Sequence, residues 1–136
     1  MLGLFKPKKK TERARILVVD DEPDLVDTMR RRLEYFDWDV TIASNGKQGL
    51  ESALNDKPDL IVLDIDMPIM NGHEMLKQLR EHPNLRDIPV IMCTMSDKVQ
   101  DITMASSNNI CDYLTKPFDF ADLTEKIAAA LKSRNN

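Results

Sequence analysis

Residues 59–76 read DLIVLDIDMPIMNGHEML. The run Leu60–Leu63 is apolar at every position, where a strand with one wet face would alternate. Unbroken runs of this kind belong to strands covered on both faces, the habit of parallel sheets flanked by helices. The run ends at Asp64, and Ile65-Asp66-Met67-Pro68 and Asn71-Gly72 follow as a polar loop. Met75, Leu76 and Leu79 then fall at helical spacing, ending near His82-Pro83. A buried strand, a loop rich in carboxylates and an amphipathic helix make one unit of an α/β fold.

The same unit recurs on both sides. Ile16–Val19 and Val90–Cys93 are again unbroken. Val40–Ala43 alternates and Tyr113–Leu114 is short, and both features suit sheet edges. Leu25, Met29, Leu33 and Phe36 form a helical stripe, with Pro23 in its first turn and Glu22 and Asp24 near the positive end of the helix dipole. Leu50, Ala53 and Leu54 form another, and Leu123, Ile127, Ala130 and Leu131 a last one. A polar helix is expected over residues 97–108, ended by Asn108-Asn109, because Asn tolerates the left-handed conformation. Strand and helix alternate five times, which predicts an α/β fold with a mostly parallel five-stranded sheet and helices on both faces.

Length and composition agree. The chain has 136 residues, 42% of them apolar and 31% charged, enough for one domain with a core and too apolar for general disorder. No apolar run approaches the ~18 residues of a membrane span. The opening MLGLFKPKKK lacks the long apolar stretch of a secretory signal. Cys93 and Cys111 are too few for a disulfide framework and read as free thiols in a reducing, cytoplasmic compartment. Lys6, Lys8, Lys9, Lys10, Arg13 and Arg15 face only Glu12, so the basic charge is concentrated at the start of a chain whose net charge is −4. The division is thus a basic arm over 1–14 and a domain over 15–136. The acidic body excludes a nucleic-acid footprint across it. The arm reads as a solvated flexible extension, with contact to an anionic membrane or acidic partner as the alternative.

Parallel sheets bind ligands beyond the carboxyl ends of their strands. There stand Asp20-Asp21 after the first run, Asp64 and Asp66 after the third, Thr94 after the fourth and Thr115-Lys116-Pro117 after the fifth. Clustered carboxylates repel unless a cation joins them, and an all-oxygen set favours Mg²⁺. A metal beside a lysine and a hydroxyl makes a place for a phosphoryl group. Asp64, at the end of the third of five strands, is the natural nucleophile, and its product is an acyl phosphate. An Asp-Asp turn or a Lys-Pro pair alone signifies little; the weight rests on one candidate at each of four strand ends.

The stretches ILVVDDEPD (16–24), DLIVLDIDMPIMNGHEML (59–76), IPVIMCT (88–94) and DYLTKPFD (112–119) resemble the receiver domain of two-component response regulators, of the single-domain chemotaxis-regulator kind. The resemblance runs from about Arg15 to about Arg134. It implies a doubly wound, flavodoxin-like (βα)5 fold with strand order 2-1-3-4-5. It implies phosphorylation of Asp64 by a phosphohistidine on a sensor histidine kinase or histidine phosphotransfer protein. It implies Mg²⁺ (or Mn²⁺) held by Asp21, Asp64 and the backbone carbonyl of Asp66, with Asp20 acting through water. Lys116 joins the catalytic set, Thr94 and Tyr113 are the switch pair, and Lys116-Pro117 is a cis peptide bond. Output is expected through a protein target on the face of the fourth helix, fifth strand and fifth helix, since no output module is recognisable. The polar end Ser133-Arg134-Asn135-Asn136 suits a complete chain, with a fragment of a longer regulator as the alternative.

Two other readings compete. A receiver fold can serve as a phosphorylation-independent adaptor, against which the intact site residues argue. Asp64-Ile65-Asp66 also resembles the nucleophile motif of haloacid-dehalogenase-type phosphatases, but Met67-Pro68 and the position of the Asp-Asp pair do not fit. His73 and His82 read as surface residues, Cys93 as a small core residue and Trp38 as packing near the second strand. The methionines read as core fillers, except Met95, which stands where receivers usually carry a small residue.

Overall fold

The fold is given by a computed structural model that describes residues 13–95 and 111–134. Five strands, β1 (Arg15–Val19), β2 (Asp39–Ala43), β3 (Leu60–Asp64), β4 (Val90–Thr94) and β5 (Asp112–Thr115), form one parallel sheet in the order β2-β1-β3-β4-β5. The expected order and the two edges are therefore observed. β3 and β4 are buried at all five positions each, as their unbroken apolar runs require.

The sheet divides two cores. Leu17, Val19, Ile61, Leu63 and Met92 face α2 (Gly46–Asn55) and α3 (Gly72–Glu81), where they meet Ala53, Met75, Leu76 and Leu79. Ile16, Val18, Val62, Ile91 and Cys93 face α1 (Pro23–Glu34) and the C-terminal helix (Phe120–Arg134), where they meet Met29, Leu33, Leu123 and Ile127. Removing such side chains from water stabilises the fold by roughly 1.5–3 kcal/mol apiece.

Local signals set the helix starts. Asn45 Oδ1 accepts the Gln48 N–H at 2.9 Å, and Gln48 Oε1 accepts the Ser44 N–H at 2.9 Å, a reciprocal cap on α2. Asn71 Oδ1 accepts the Glu74 N–H at 2.9 Å and caps α3. Gly72 is required there: a Cβ on it would lie 2.3 Å from the Asp64 carbonyl oxygen. The missing side chain lets α3 start against the end of β3, and the Gly72 N–H donates to the Ile65 carbonyl at 2.9 Å.

Some expectations fail in detail. α1 stops at Glu34, so Phe36 lies beyond it, 48% exposed and stacked on Trp38 at 5.2 Å. Leu54 is exposed, because Ala53 takes the buried place on α2. His73 and His82 are half-buried rather than on the surface, and His82 Nδ1 accepts the Asn84 N–H at 3.1 Å, closing the turn after α3. The helix expected over 97–108 and the arm through residue 12 lie outside the described residues. Among the described residues no helix is long and apolar enough to cross a membrane.

Candidate functional site

Parallel pairing brings the strand ends to one edge and the ladders run slightly past them. The Asp20 N–H donates to the Ala43 carbonyl at 3.0 Å, Ile65 N–H to Cys93 at 3.3 Å and Lys116 N–H to Thr94 at 2.7 Å. Asp20, Asp64, Thr94 and Lys116 are thereby fixed by backbone hydrogen bonds on four adjacent strands.

Their side chains converge. Lys116 Nζ lies 2.7 Å from Asp20 Oδ2, 3.5 Å from Glu22 Oε1 and 3.6 Å from Asp64 Oδ1. The Lys116, Asp20 and Asp64 side chains are all buried, whereas Asp21 and Asp66 are exposed. The other Asp20 oxygen accepts the Glu22 N–H at 3.0 Å. Carboxylate oxygens of Asp20, Asp21 and Asp64 lie within 4.8 Å of one another. Thr94 is fully buried, and Tyr113 is half-buried against the core under α2 and α3. Thr94 pairs in register with Thr115, which makes Tyr113 its diagonal neighbour on the adjacent strand. The Lys116-Pro117 peptide is cis, as the resemblance implies.

The electrostatics follow from burial and charge. Desolvation pushes the Asp64 carboxyl up to about 7; Asp20 and Asp21 add to the rise, and Lys116 and the Asp66 N–H oppose it. Desolvation lowers the Lys116 ammonium, but its hydrogen bond and charge contact with Asp20, with Asp64 and Glu22 behind, leave it above its usual value. Burial pushes the neighbouring Cys93 thiol up to about 12.

Three clustered carboxylates with one ammonium at hand leave negative charge unbalanced when all are ionised. The donor set is all oxygen, and Asp21 is open to solvent, so water can complete a coordination shell. These residues fit a small hard cation of the Mg²⁺ or Mn²⁺ kind.

Sequence reasoning missed one member. Glu22 was legible only as an acidic residue at a helix start, yet it makes no side-chain cap on α1 and turns to Lys116 instead. Its place directly after Asp20-Asp21 was the available signal. Beside it opens a cavity of about 280 Å³, walled by Glu22, Lys116, Leu25, Met95, Phe118 and Phe120. A larger groove of about 650 Å³ between α1 and the C-terminal helix, with Arg32 over the Phe120 ring at 5.0 Å, includes none of the clustered carboxylates.

Comparison with known proteins agrees with this geometry. The response regulator receiver domain profile matches residues 16–128. The alkaline phosphatase synthesis transcriptional regulatory protein PhoP of Bacillus subtilis is 38% identical over 118 residues, which are 87% of this chain and 48% of that protein. The DNA-binding dual master transcriptional regulator RpaA of Synechocystis is 36% identical over 118 residues, 87% of this chain and 49% of its own length. The chain thus spans about half the length of these curated relatives. A CheY-like receiver domain protein from Methanospirillum hungatei superposes with a TM-score of 0.85 at 28% identity, over 91% of this chain and 98% of that one. A two-component response regulator from Clostridium difficile gives 0.84 at 27% identity, over 91% of this chain and 100% of that one. The match is to a signalling domain rather than to a family of turnover enzymes, and the chain belongs to the response regulator receiver domains of two-component systems.

Proposed function

We propose that the chain is a phosphorylation-operated switch whose acceptor is Asp64. The observation that carries the reading is the buried ammonium of Lys116 between Asp20 and Asp64, at the carboxyl edge of a parallel sheet. Asp20 (through water), Asp21, Asp64 and the carbonyl of Asp66 would hold Mg²⁺ or Mn²⁺. When bound, that ion supplies positive charge to phosphoryl oxygens and to the Asp64 carboxylate.

An Asp64 oxygen attacks the phosphorus of a phosphohistidine, an O–P bond forms, and the P–N bond breaks with its electron pair left on the imidazole. Lys116 already stands 3.6 Å from Asp64, within a short swing of a phosphoryl oxygen there. Thr94 donates its hydroxyl hydrogen to another, and Tyr113, its diagonal neighbour, follows the movement of Thr94. The donor partner is a sensor histidine kinase or histidine phosphotransfer protein. The apolar rim of Leu25, Met95, Phe118 and Phe120 suits its docking. A downstream protein reads the face that includes β5 and the C-terminal helix. Residues 1–14, which carry Lys6, Lys8, Lys9, Lys10 and Arg13, are proposed as a basic segment ahead of this domain.

The test is intact mass after incubation with acetyl phosphate. One phosphoryl group, ~80 Da, should appear with Mg²⁺ and vanish with chelator or in Asp64→Ala. Labelling that survives in Asp64→Ala refutes the assignment.

A further inference from the structure

The Glu22 side chain is a charged group at the site that α1 does not employ. As the residue before α1 it is placed to cap that helix, yet it forms no side-chain cap. Its carboxylate instead stands 3.5 Å from Lys116 Nζ, and the same nitrogen is 3.6 Å from Asp64. The two carboxylates are therefore no farther apart than the sum of those distances. Glu22 remains 53% exposed and forms the anionic wall of the cavity, with Met95, Phe118 and Phe120 as its apolar walls.

In-line transfer to Asp64 sends the leaving group away from the carboxylate, the reacting atoms beginning about 3–3.5 Å apart. An exit through the cavity walled by Glu22 and Lys116 would bring that group beside Glu22. We infer that this cavity is the leaving-group subsite, and that Glu22 makes it selective for phosphorylated nitrogen donors over acyl phosphates. The inference rests on Asp64 being the acceptor. A phosphoimidazole arrives with its ring protonated and leaves as neutral imidazole: the Asp64 carboxylate gains the P–O bond, and the electrons of the P–N bond neutralise the ring. Its cationic, flat ring is attracted by a carboxylate and packs on Phe118 and Met95. An acyl phosphate releases a carboxylate, and negative charge grows there as its P–O bond breaks. Glu22 repels that growing charge.

The experiment measures initial rates of Asp64 labelling in Mg²⁺ with phosphoimidazole and with acetyl phosphate. Glu22→Gln should lower the ratio of the two rates by about fivefold, the size expected of one charge several ångströms away at a wet surface. Glu22→Lys should lower it further. A second arm uses neither donor nor metal. Amide shifts of Met95 and Phe118 are followed as 1,3-dimethylimidazolium chloride is added, with sodium acetate as control. The cation should move them in the native chain, less in Glu22→Gln, and acetate should not. Labelling by both donors with a ratio that Glu22→Gln leaves unchanged refutes the selectivity, as do equal shifts from cation and acetate. Absence of labelling by either donor refutes the Asp64 reading itself, and the subsite with it.

Discussion

Asp64→Asn should make the metal-free protein more stable, and the gain should depend on pH. Burial and Asp20 hold the Asp64 carboxyl at about 7, against 3.8 in an unfolded chain. Between those values the folded protein keeps a proton that the unfolded chain has released. Stability therefore falls as pH rises through that window, and the loss is complete above it. About three pH units at ~1.4 kcal/mol each set an upper limit of about 4 kcal/mol. Water at the Asp21 side of the cluster screens the charge, so about half of that limit, ~2 kcal/mol, is the expected effect. An amide keeps the shape and can still accept the Asp66 N–H. It gives up the contact with Lys116 at 3.6 Å, but Lys116 retains Asp20 at 2.7 Å. Urea denaturation in chelator should show Asp64→Asn more stable by about 2 kcal/mol at pH 8, by less than half of that at pH 5, and hardly at all at pH 4. Adding Mg²⁺ at pH 8 should stabilise the native chain and shrink the difference. A variant no more stable at pH 8, or one with the same gain at pH 8 and pH 5, would show that the Asp64 charge is not an uncompensated cost to the fold.

Lys116→Ala leaves the buried Asp20 without its cation, and breaking such a pair costs about 3–5 kcal/mol. Urea titration in chelator should show that loss, while calorimetry still detects Mg²⁺ binding and acetyl phosphate labelling slows. Met95 is 72% exposed and walls the cavity beside Lys116, so its thioether chain should displace water from the open side of the proposed acceptor. Met95→Ala should therefore speed decay of the purified phosphoprotein by ~3–10-fold, equivalent to ~0.7–1.4 kcal/mol of barrier. Decay at an equal or slower rate would mean that the thioether shields nothing. Gly72→Ala places a Cβ 2.3 Å from the Asp64 carbonyl, a backbone atom that cannot step aside. Its unfolding free energy should drop by ~1–3 kcal/mol, with Mg²⁺ affinity weakened as the end of β3 shifts.

The parts of the fold that announced themselves in sequence were those with redundant signals. β3 and β4 are unbroken apolar runs, and burial on both faces leaves such sequences few alternatives. Asp20, Asp64, Thr94 and Lys116 were legible because each ends a run, so strand pairing alone carries them to one edge. Phe36 was misplaced because helical periodicity says nothing of where a helix stops: α1 ends at Glu34 and closes in a tight turn, the Phe36 N–H donating to the Leu33 carbonyl at 3.1 Å and the Asp37 N–H to the Glu34 carbonyl at 3.0 Å. Leu54 was misplaced because periodicity does not show which of two adjacent apolar residues faces the sheet, and on α2 Ala53 takes that place. Glu22 escaped because its partner lies 94 positions along the chain, at Lys116, and local pattern carries no record of such a pairing. The same holds for the cavity, whose walls come from the start of α1, the end of β4 and the segment after β5.

Cys93 sits one strand over from Asp64 and in register with it. An acyl phosphate is an electrophile at its carbonyl carbon as well as at phosphorus, and a thiolate beside it would destroy the message by capturing the acyl group. Burial holds this thiol up to about 12, so at neutral pH only a minute fraction is the nucleophilic form. The apolar packing of Cys93 beneath α1 and the C-terminal helix thus has a chemical consequence: were Asp64 phosphorylated as proposed, it would let a sulfur atom lie beside a labile mixed anhydride without reacting with it. Any substitution that opened that side of the sheet to water would lower this protection and shorten the life of the signal, even with every residue of the acceptor site unchanged.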